Sequence, residues 1–273
     1  MPIPAPSVSV CIPVNHGEPY LAETIRSVLD QTFRDFELVV LDNASRDRAD
    51  IVARRVGDVR IRVERNPAPV PQAENWNRAV QLSRAPLVKL LRANDILHPR
   101  CLDMQVNPME ADPGLAVVAA RRHMIDEESR VVAPRRGLSG LTGVRTGVEV
   151  ARRVVRTRSN PVGEPSAVLF RREDFFAAGG WRADRHFTMD LDLWMRLLQF
   201  GEFLGLPEPL AAFRMAHDTP PDERQALVDE QQLLLEEITE TETFSVRGID
   251  QTVGRLLVPT GRVRRRTMAA AAG

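Results

Sequence analysis

Short apolar runs alternate with helical stripes through the first hundred positions. Residues 7–14 (SVSVCIPV) are a β-branched run bounded by Pro6 and Asn15, the pattern of a buried strand. A polar turn follows, and in YLAETIRSVLDQT the residues Leu21, Ile25, Val28 and Leu29 then share one face at helical spacing. FELVVLD predicts a second buried strand that ends on the carboxylate of Asp42, and the cap-type residues of NASRDRADIVARRV open a second helix. RIRVERN alternates as a third strand, AENWNRAVQLS is another amphipathic helix, and LVKLL is a fourth strand. That strand runs into KLLRANDILHP, with a helix beginning near Pro99. Strands alternating with helices predict an α/β fold with an open, mostly parallel sheet flanked by helices. Ligands of such sheets sit at the carboxyl ends of strands, where Asn15, Asp42 and Asp95 all fall.

The second half is less regular. LAVVAARRHMID predicts one more strand with a turn, and RRGLSGLTGVRTG a Gly-rich basic loop of the mobile sort. GVEVARRVVR predicts a helix, and NPVGEPSAVLFRREDF a strand leading into a helix start. MDLDLWMRLLQFG is an amphipathic helix that opens on acidic residues and stops at Gly201. In residues 222–240, Leu227, Leu234 and Ile238 line one face of a long helix. Packing on its own domain is the expectation for that face, and a homodimer through the helix is the alternative.

Composition acts mainly by exclusion. A chain of 273 residues, 43% hydrophobic, fits one large α/β domain or two small ones around a sizeable core. Lys plus Arg and Asp plus Glu both number 37, and the absence of a basic excess argues against a nucleic-acid binder. Cys11 and Cys101 lie in apolar contexts without metal-ligand spacing, which predicts buried free thiols in a reducing cytoplasm. No apolar run approaches the ~18–20 residues needed to span a bilayer, and MPIPAPSVSV lacks the layout of a signal peptide. The expectation is a soluble cytoplasmic protein. The basic, low-complexity end GRVRRRTMAAAAG predicts a frayed tail, with peripheral contact to an acidic inner membrane face as the minority reading. Neither G-x-G-x-x-G nor G-x-x-x-x-G-K-[ST] occurs, so dinucleotide and P-loop chemistry are disfavoured.

The ordered pieces resemble a known family. VSVCIPVNHGEPYLAETIRSVLDQTFRDFELVVLDNASRDRADIV resembles the opening of family 2 inverting nucleotide-sugar glycosyltransferases, which have the Rossmann-like GT-A fold. ENWNRAV and APLVKLLRANDILHP look like that family's second helix and its metal-binding D-x-D segment. PSAVLFRREDFFAAGGW and MDLDLWMRLLQFG are similar to its acceptor-side strand and the helix carrying the catalytic base, and FRMAHDT resembles its late Arg–His segment. The likeness spans residues 7–220. It implies a GT-A domain with a nucleotide-sugar-binding half at residues 1–110 and an irregular acceptor-binding, catalytic half at 111–220. A helical extension over 221–260 and a disordered tail over 261–273 follow.

By position, the resemblance assigns Pro13, Asn15 and Glu18 to the loop that cradles the nucleotide. Asp42 is the acceptor for the ring N–H of uracil or thymine, in keeping with an ionised carboxylate. Asn94 and Asp95 fall on the metal and diphosphate segment, Asp190 on the general base, and His217 on a late metal or phosphate contact. The family's two D-x-D carboxylates correspond here to Arg92 and Asn94, leaving Asp95 as the only carboxylate of the segment. The expectation is a weakened Mg²⁺ or Mn²⁺ site, dispensable if Arg92 neutralises the diphosphate directly. Met189 stands where Glu often precedes the base, which removes a supporting carboxylate and spares the base itself.

Each assignment has a plainer competitor. Asp190 and Asp192 also suit a helix N-terminus, and Asp42 and Asp95 also suit helix caps. Arg92 also reads as a solvated surface residue and His217 as a structural one. Trp181 is open between stacking on a sugar face and core packing. The leading function is inverting transfer from a UDP- or TDP-sugar to a glycan, small-molecule or carrier-bound acceptor. The alternative is a catalytically impaired sugar-nucleotide-binding regulatory or scaffold protein. A nucleotidyltransferase lacks its Gly-rich, Lys-bearing loop here. The segments 137–147 and 160–166 are expected to frame the acceptor. High Ala, Arg and Val usage is compatible with a GC-rich bacterium, leaving envelope polysaccharide and natural-product biosynthesis both open.

Overall fold

The computed structural model describes residues 5–15, 19–47, 49–215, 223–246, 248 and 250–254. β1 (Val8–Val14) and β2 (Phe36–Asp42) are buried along their full lengths, as β-branched runs require when both faces of a sheet are covered. They pair in parallel from Val8 against Phe36 to Val14 against Asp42. β3 (Ile61–Arg65) joins β2 and β4 (Leu87–Leu90) joins β1, both parallel. α1 (Leu21–Leu29), α2 (Ala49–Arg54) and α3 (Gln72–Gln81) lie between successive strands.

After β4 come β5 (Ile96–Leu97), α4 (Cys101–Ala111), β6 (Leu115–Ile125), β7 (Val131–Arg136), β8 (Gly143–Arg145) and α5 (Gly147–Thr157). β9 (Val168–Arg171), α6 (Arg172–Ala177), α7 (Met189–Leu197), β10 (Glu202–Arg214) and α8 (Glu223–Glu240) complete the numbered elements. One sheet runs β3-β2-β1-β4-β9-β6-β10-β5, with β7 on β6 and β8 on β10. The parallel order holds through β4. Beyond it, β9 lies antiparallel between β4 and β6, and β6 with β10 is the one further parallel pair. The sheet as a whole is mixed.

β10 escapes the sequence pattern for a physical reason. Its thirteen residues, EFLGLPEPLAAFR, include Gly205, Pro207 and Pro209, which read as strand breakers. The strand accommodates Pro207 and Pro209 at two irregularities, between Leu206 and Pro209 and between Pro209 and Ala211. The Gly-rich segment expected to be mobile is anchored instead. Leu138 and Leu141 are buried, and the Leu138 N–H donates to Pro161 O at 2.7 Å.

Alternation along the strands sorts side chains onto two faces. Val8, Val10, Ile12 and Val14 join a core with Leu21, Ile25 and Val106, while Cys11, Val39 and Leu41 join one with Val80, Val154 and Trp194. Leu234, Leu235 and Ile238 of α8 enter the second core and Leu227 is half-buried, so the face offered to a second copy is largely used within the chain. Trp181 is also core, packed edge-on to Trp76 at 5.4 Å and against Phe170, Phe175 and Trp194. The sugar-stacking alternative for Trp181 is set aside by that burial. Both cysteines are buried and free. Among the described residues no helix is long and apolar enough to cross a membrane.

Candidate active site

β1 lies between β2 and β4, so three parallel strand ends stand side by side, each ~4.8 Å from the next. Pro13 is buried within β1, and Asn15 is exposed just past its end. The Asn15 Oδ1 accepts from Asn43 Nδ2 at 2.6 Å. Asn43 is held by both backbone groups of Val70 and accepts from Asn66 Nδ2 at 2.7 Å, and Asn66 donates onward to Asn75 Oδ1 at 3.0 Å. This amide ladder ties the ends of β1, β2 and β3 to α3, and leaves the Asn66 Oδ1 buried without a partner. Sequence reasoning missed Asn43 and Asn66, although each is the first residue past a strand end.

Asp42 is fully buried. Its Oδ1 accepts from the Ser45 N–H at 2.8 Å, closing a turn, and its Oδ2 pairs with Arg65. Arg65 also reaches Asp50 Oδ1 at 3.3 Å and Ser45 O at 3.0 Å. Because α2 begins only at Ala49, Asp42 is a turn-former rather than that helix's N-cap. Its lone pairs face Arg65 and Ser45.

A second cluster forms past β4. The Asp95 N–H donates to Arg92 O at 3.1 Å, turning the chain into β5, which pairs with the end of β10. Asp95 is fully buried; its Oδ1 accepts from the Arg214 N–H at 2.9 Å and its Oδ2 from the Ser166 hydroxyl at 2.5 Å. Ser166 Oγ in turn accepts from the Arg92 N–H at 3.3 Å. Burial pushes the Asp95 carboxyl up to about 6, against the pull of Arg92 and these hydrogen bonds. The Arg92 guanidinium lies over the Phe213 ring at 4.5 Å, so it is a stacked, half-exposed cation rather than a free surface one. Asn94 gives its carbonyl to Arg214 Nε at 2.9 Å.

Asp190, the second residue of α7, lies within electrostatic reach of Arg92 and Glu164, which also act on Asp95. Its Oδ1 is buried and has no hydrogen-bond partner. Burial pushes the Asp190 carboxyl up to about 7; the charge of Glu164 adds to the rise, while Arg92 and the Trp181 indole N–H pull back. The indole nitrogen makes no hydrogen bond of normal geometry, so the carboxylate is left poised for another donor. Asp192 does not share this site: it pairs with Arg196 Nη2 at 2.5 Å and Arg182 at 3.3 Å.

Two further residues, placed by the sequence only within longer segments, bear on this cluster. Glu164, paired with Arg122, raises both Asp95 and Asp190. Arg214 donates to Asn94 O, Asp126 O, Glu127 O, Glu23 Oε2 and Ser129 Oγ. The only sequence signal for Arg214 was its place in FRMAHDT. Glu18, His217 and residues 261–273 lie outside the described residues.

Among the described residues, the side chains near Asp95 offer little to the expected ion. Mg²⁺ or Mn²⁺ needs several hard oxygens free to turn toward it, whereas both oxygens of Asp95 are held by Ser166 and Arg214. Among the described residues no three His, Cys, Asp or Glu side chains gather to hold a metal.

Comparisons with known proteins agree with this architecture. The model of glycosyl transferase family 2 matches residues 9–176, more than half of the chain. The chain is 28% identical over 242 residues to the uncharacterized protein MT1568 of Mycobacterium tuberculosis, covering 84% of this chain and 75% of that protein. It is 24% identical over 226 residues to the putative glycosyltransferase EpsE of Bacillus subtilis, covering 81% and 77%. A shorter match of 105 residues, 36% identical, reaches the poly(ribitol-phosphate) beta-N-acetylglucosaminyltransferase TarP of Staphylococcus aureus and covers 35% and 31%. Among solved structures, residues 1–349 of S. aureus TarS in complex with UDP-GlcNAc superpose with a TM-score of 0.66 at 16% identity, covering 86% of this chain and 67% of that one. A TM-score of that size at so low an identity speaks to the fold. With the ordered strands, the rim of polar residues and the family match together, the chain belongs to glycosyl transferase family 2 and carries its GT-A fold.

Proposed function

We propose that the protein is an inverting glycosyltransferase that moves a sugar from a UDP- or TDP-sugar to an acceptor hydroxyl, with Asp190 as general base. The observation that carries this reading is the unpartnered Asp190 Oδ1 at the start of α7, beside Arg92 and Glu164. In the step, the acceptor oxygen forms its bond to the anomeric carbon as the bond to the diphosphate oxygen breaks. The acceptor proton goes to Asp190, and the bonding pair leaves with the nucleoside diphosphate. An upward-shifted carboxylate is the better base near neutral pH. Arg92 stands for the cation that meets the growing negative charge on the leaving group. A uridine donor draws support from TarS, solved with UDP-GlcNAc and with UDP.

The nucleobase is assigned to the rim of Asn15, Asn43 and Asn66, with Asp42 reached once Arg65 shifts from it. Calorimetry with UDP and TDP, each with and without Mn²⁺, tests the donor side. We expect UDP or TDP to bind, and EDTA to leave that affinity unchanged while Arg92→Ala weakens it. A strict Mn²⁺ requirement overturns the cationic role given to Arg92. Turnover then tests the base. Asp190→Asn is expected to cost roughly 10²–10⁴-fold in kcat and to leave donor binding intact. The second reading, a sugar-nucleotide-binding regulatory subunit, is favoured by the absence of both D-x-D carboxylates at Arg92 and Asn94. Tight UDP binding with no turnover of donor, by hydrolysis or on any acceptor offered, would select it.

A further inference from the structure

α7 opens without a cap of its own. Thr188 is its N-cap residue, yet the Thr188 side chain makes no bond back to the helix. The donors ahead of the helix go to a single carboxylate from α8. Glu230 accepts from the His186 N–H at 3.0 Å, the Phe187 N–H at 3.0 and 3.2 Å, the Thr188 N–H at 2.8 Å and the Thr188 hydroxyl at 2.6 Å. Three successive backbone N–H groups around one anion form a nest, here filled by the chain itself. Burial alone would raise the Glu230 carboxyl, but the hydrogen bonds from Thr188, His186 and Phe187 outweigh it and hold it below its ordinary value. The carboxylate is therefore charged at neutral pH, and it stands at the positive end of α7.

The grip is doubled two helical turns along α8, where Glu237 pairs with the buried Arg185. α8 is itself seated by Leu234, Leu235 and Ile238, and Gln231 donates to Arg158 O at 2.7 Å. Residues 185–188 are thus clamped from one side by a helix that lies beyond the family match at residues 9–176. On the other side, the Asp190 Oδ1 has no partner to orient it. Beyond the nearby Trp181 indole N–H, the backbone of the first turn sets its direction.

We infer that Glu230 is a positioning residue for the transfer reaction: it fixes the turn from which Asp190 projects, which makes α8 part of the working site. This rests on the reading of Asp190 as the base. The Glu230 carboxylate touches neither substrate nor the reacting atoms; it acts through two residues of backbone. A misplacement of about 1 Å in a catalytic group can cost roughly 10²-fold in rate, and loss of four donors from one acceptor is enough to permit it.

The test uses the full chain with Glu230→Ala, Glu230→Gln and Gln232→Ala, the last a control on the same helix that contacts Arg158. Glu230→Ala is expected to lower kcat by roughly 10²-fold, to leave UDP affinity unchanged and to speed amide exchange at residues 186–188. Glu230→Gln keeps the shape and one carbonyl acceptor, so it should restore part of that rate, while Gln232→Ala leaves kcat alone. If Asp190→Asn abolishes turnover yet Glu230→Ala keeps full kcat, the positioning role fails and the base reading stands. If Asp190→Asn turns over normally, the base reading fails and takes this inference with it. Parallel loss of kcat and UDP affinity, or loss of thermal stability alone, would mark the contact as support for the fold and overturn the proposal. Should Glu230→Ala not fold, Glu230→Gln carries the same comparison.

Discussion

Two carboxyls, the buried Asp95 and the half-buried Asp190, are driven upward by desolvation yet are equipped for different work. Asp95 keeps two hydrogen bonds and reaches about 6, while Asp190 has an oxygen with none and reaches about 7. A base works ionised, so turnover should fall as pH drops through about 7, and a kcat–pH profile should carry that limb in the wild type and lose it in Asp190→Asn. Asp95 belongs on a stability axis. Its folded-state value lies above the unfolded one, so the folded chain binds more protons between the two, and its contribution is full at low pH and lost as pH rises through about 6. Asn at that position still accepts from the Arg214 N–H and can donate to Ser166 Oγ. The gain in stability of Asp95→Asn over wild type, read by denaturant unfolding, should therefore be larger at pH 8 than at pH 4.5, with an upper bound of about 3 kcal/mol. Asp190 stands out in the sequence through its place in the family-like order of motifs. Glu164 and Asn66 do not, because each acquires meaning from partners contributed by other parts of the chain.

At the scale of elements, β1, β2 and β4 were readable because burial on both faces leaves continuous apolar runs, and the half-buried β3 because its residues alternate. β10 was not, since Gly and two Pro residues disguise a strand that is bulged where the prolines fall. Gly205 has a positive reason to be there: a Cβ at that position would lie 1.9 Å from Leu141 O, where β8 and the anchored Gly-rich segment close on β10. Gly205→Ala should destabilise the protein by about 1–3 kcal/mol, read by denaturant midpoint, while the equivalent change at the open Gly143 meets no atom and is strained only by its φ of +76°. The cap of α7 was invisible for a related reason. A helix start is read from its own neighbours, and this one is satisfied by a carboxylate more than forty residues away.

At the scale of the molecule, Arg214 is the clearest single fastener. It is 2% exposed and joins the loop after β4, the turn after β6, Ser129 and Glu23 of α1, with Tyr20 stacked on it at 4.0 Å. Lys offers one point charge in place of this fork. Arg214→Lys should leave buried carbonyls unpaired, each costing about 1–3 kcal/mol, and should lower melting temperature and UDP affinity together, in contrast to Glu230→Ala. The antiparallel β9 has a wider consequence. By hydrogen-bonding to β4 on one edge and β6 on the other, it joins the strands of the first hundred residues to β6 and β10 in one continuous sheet. Substrates should then be enclosed by loop and side-chain movement against that shared floor, and calorimetric melting should give one transition whose van't Hoff and measured enthalpies coincide.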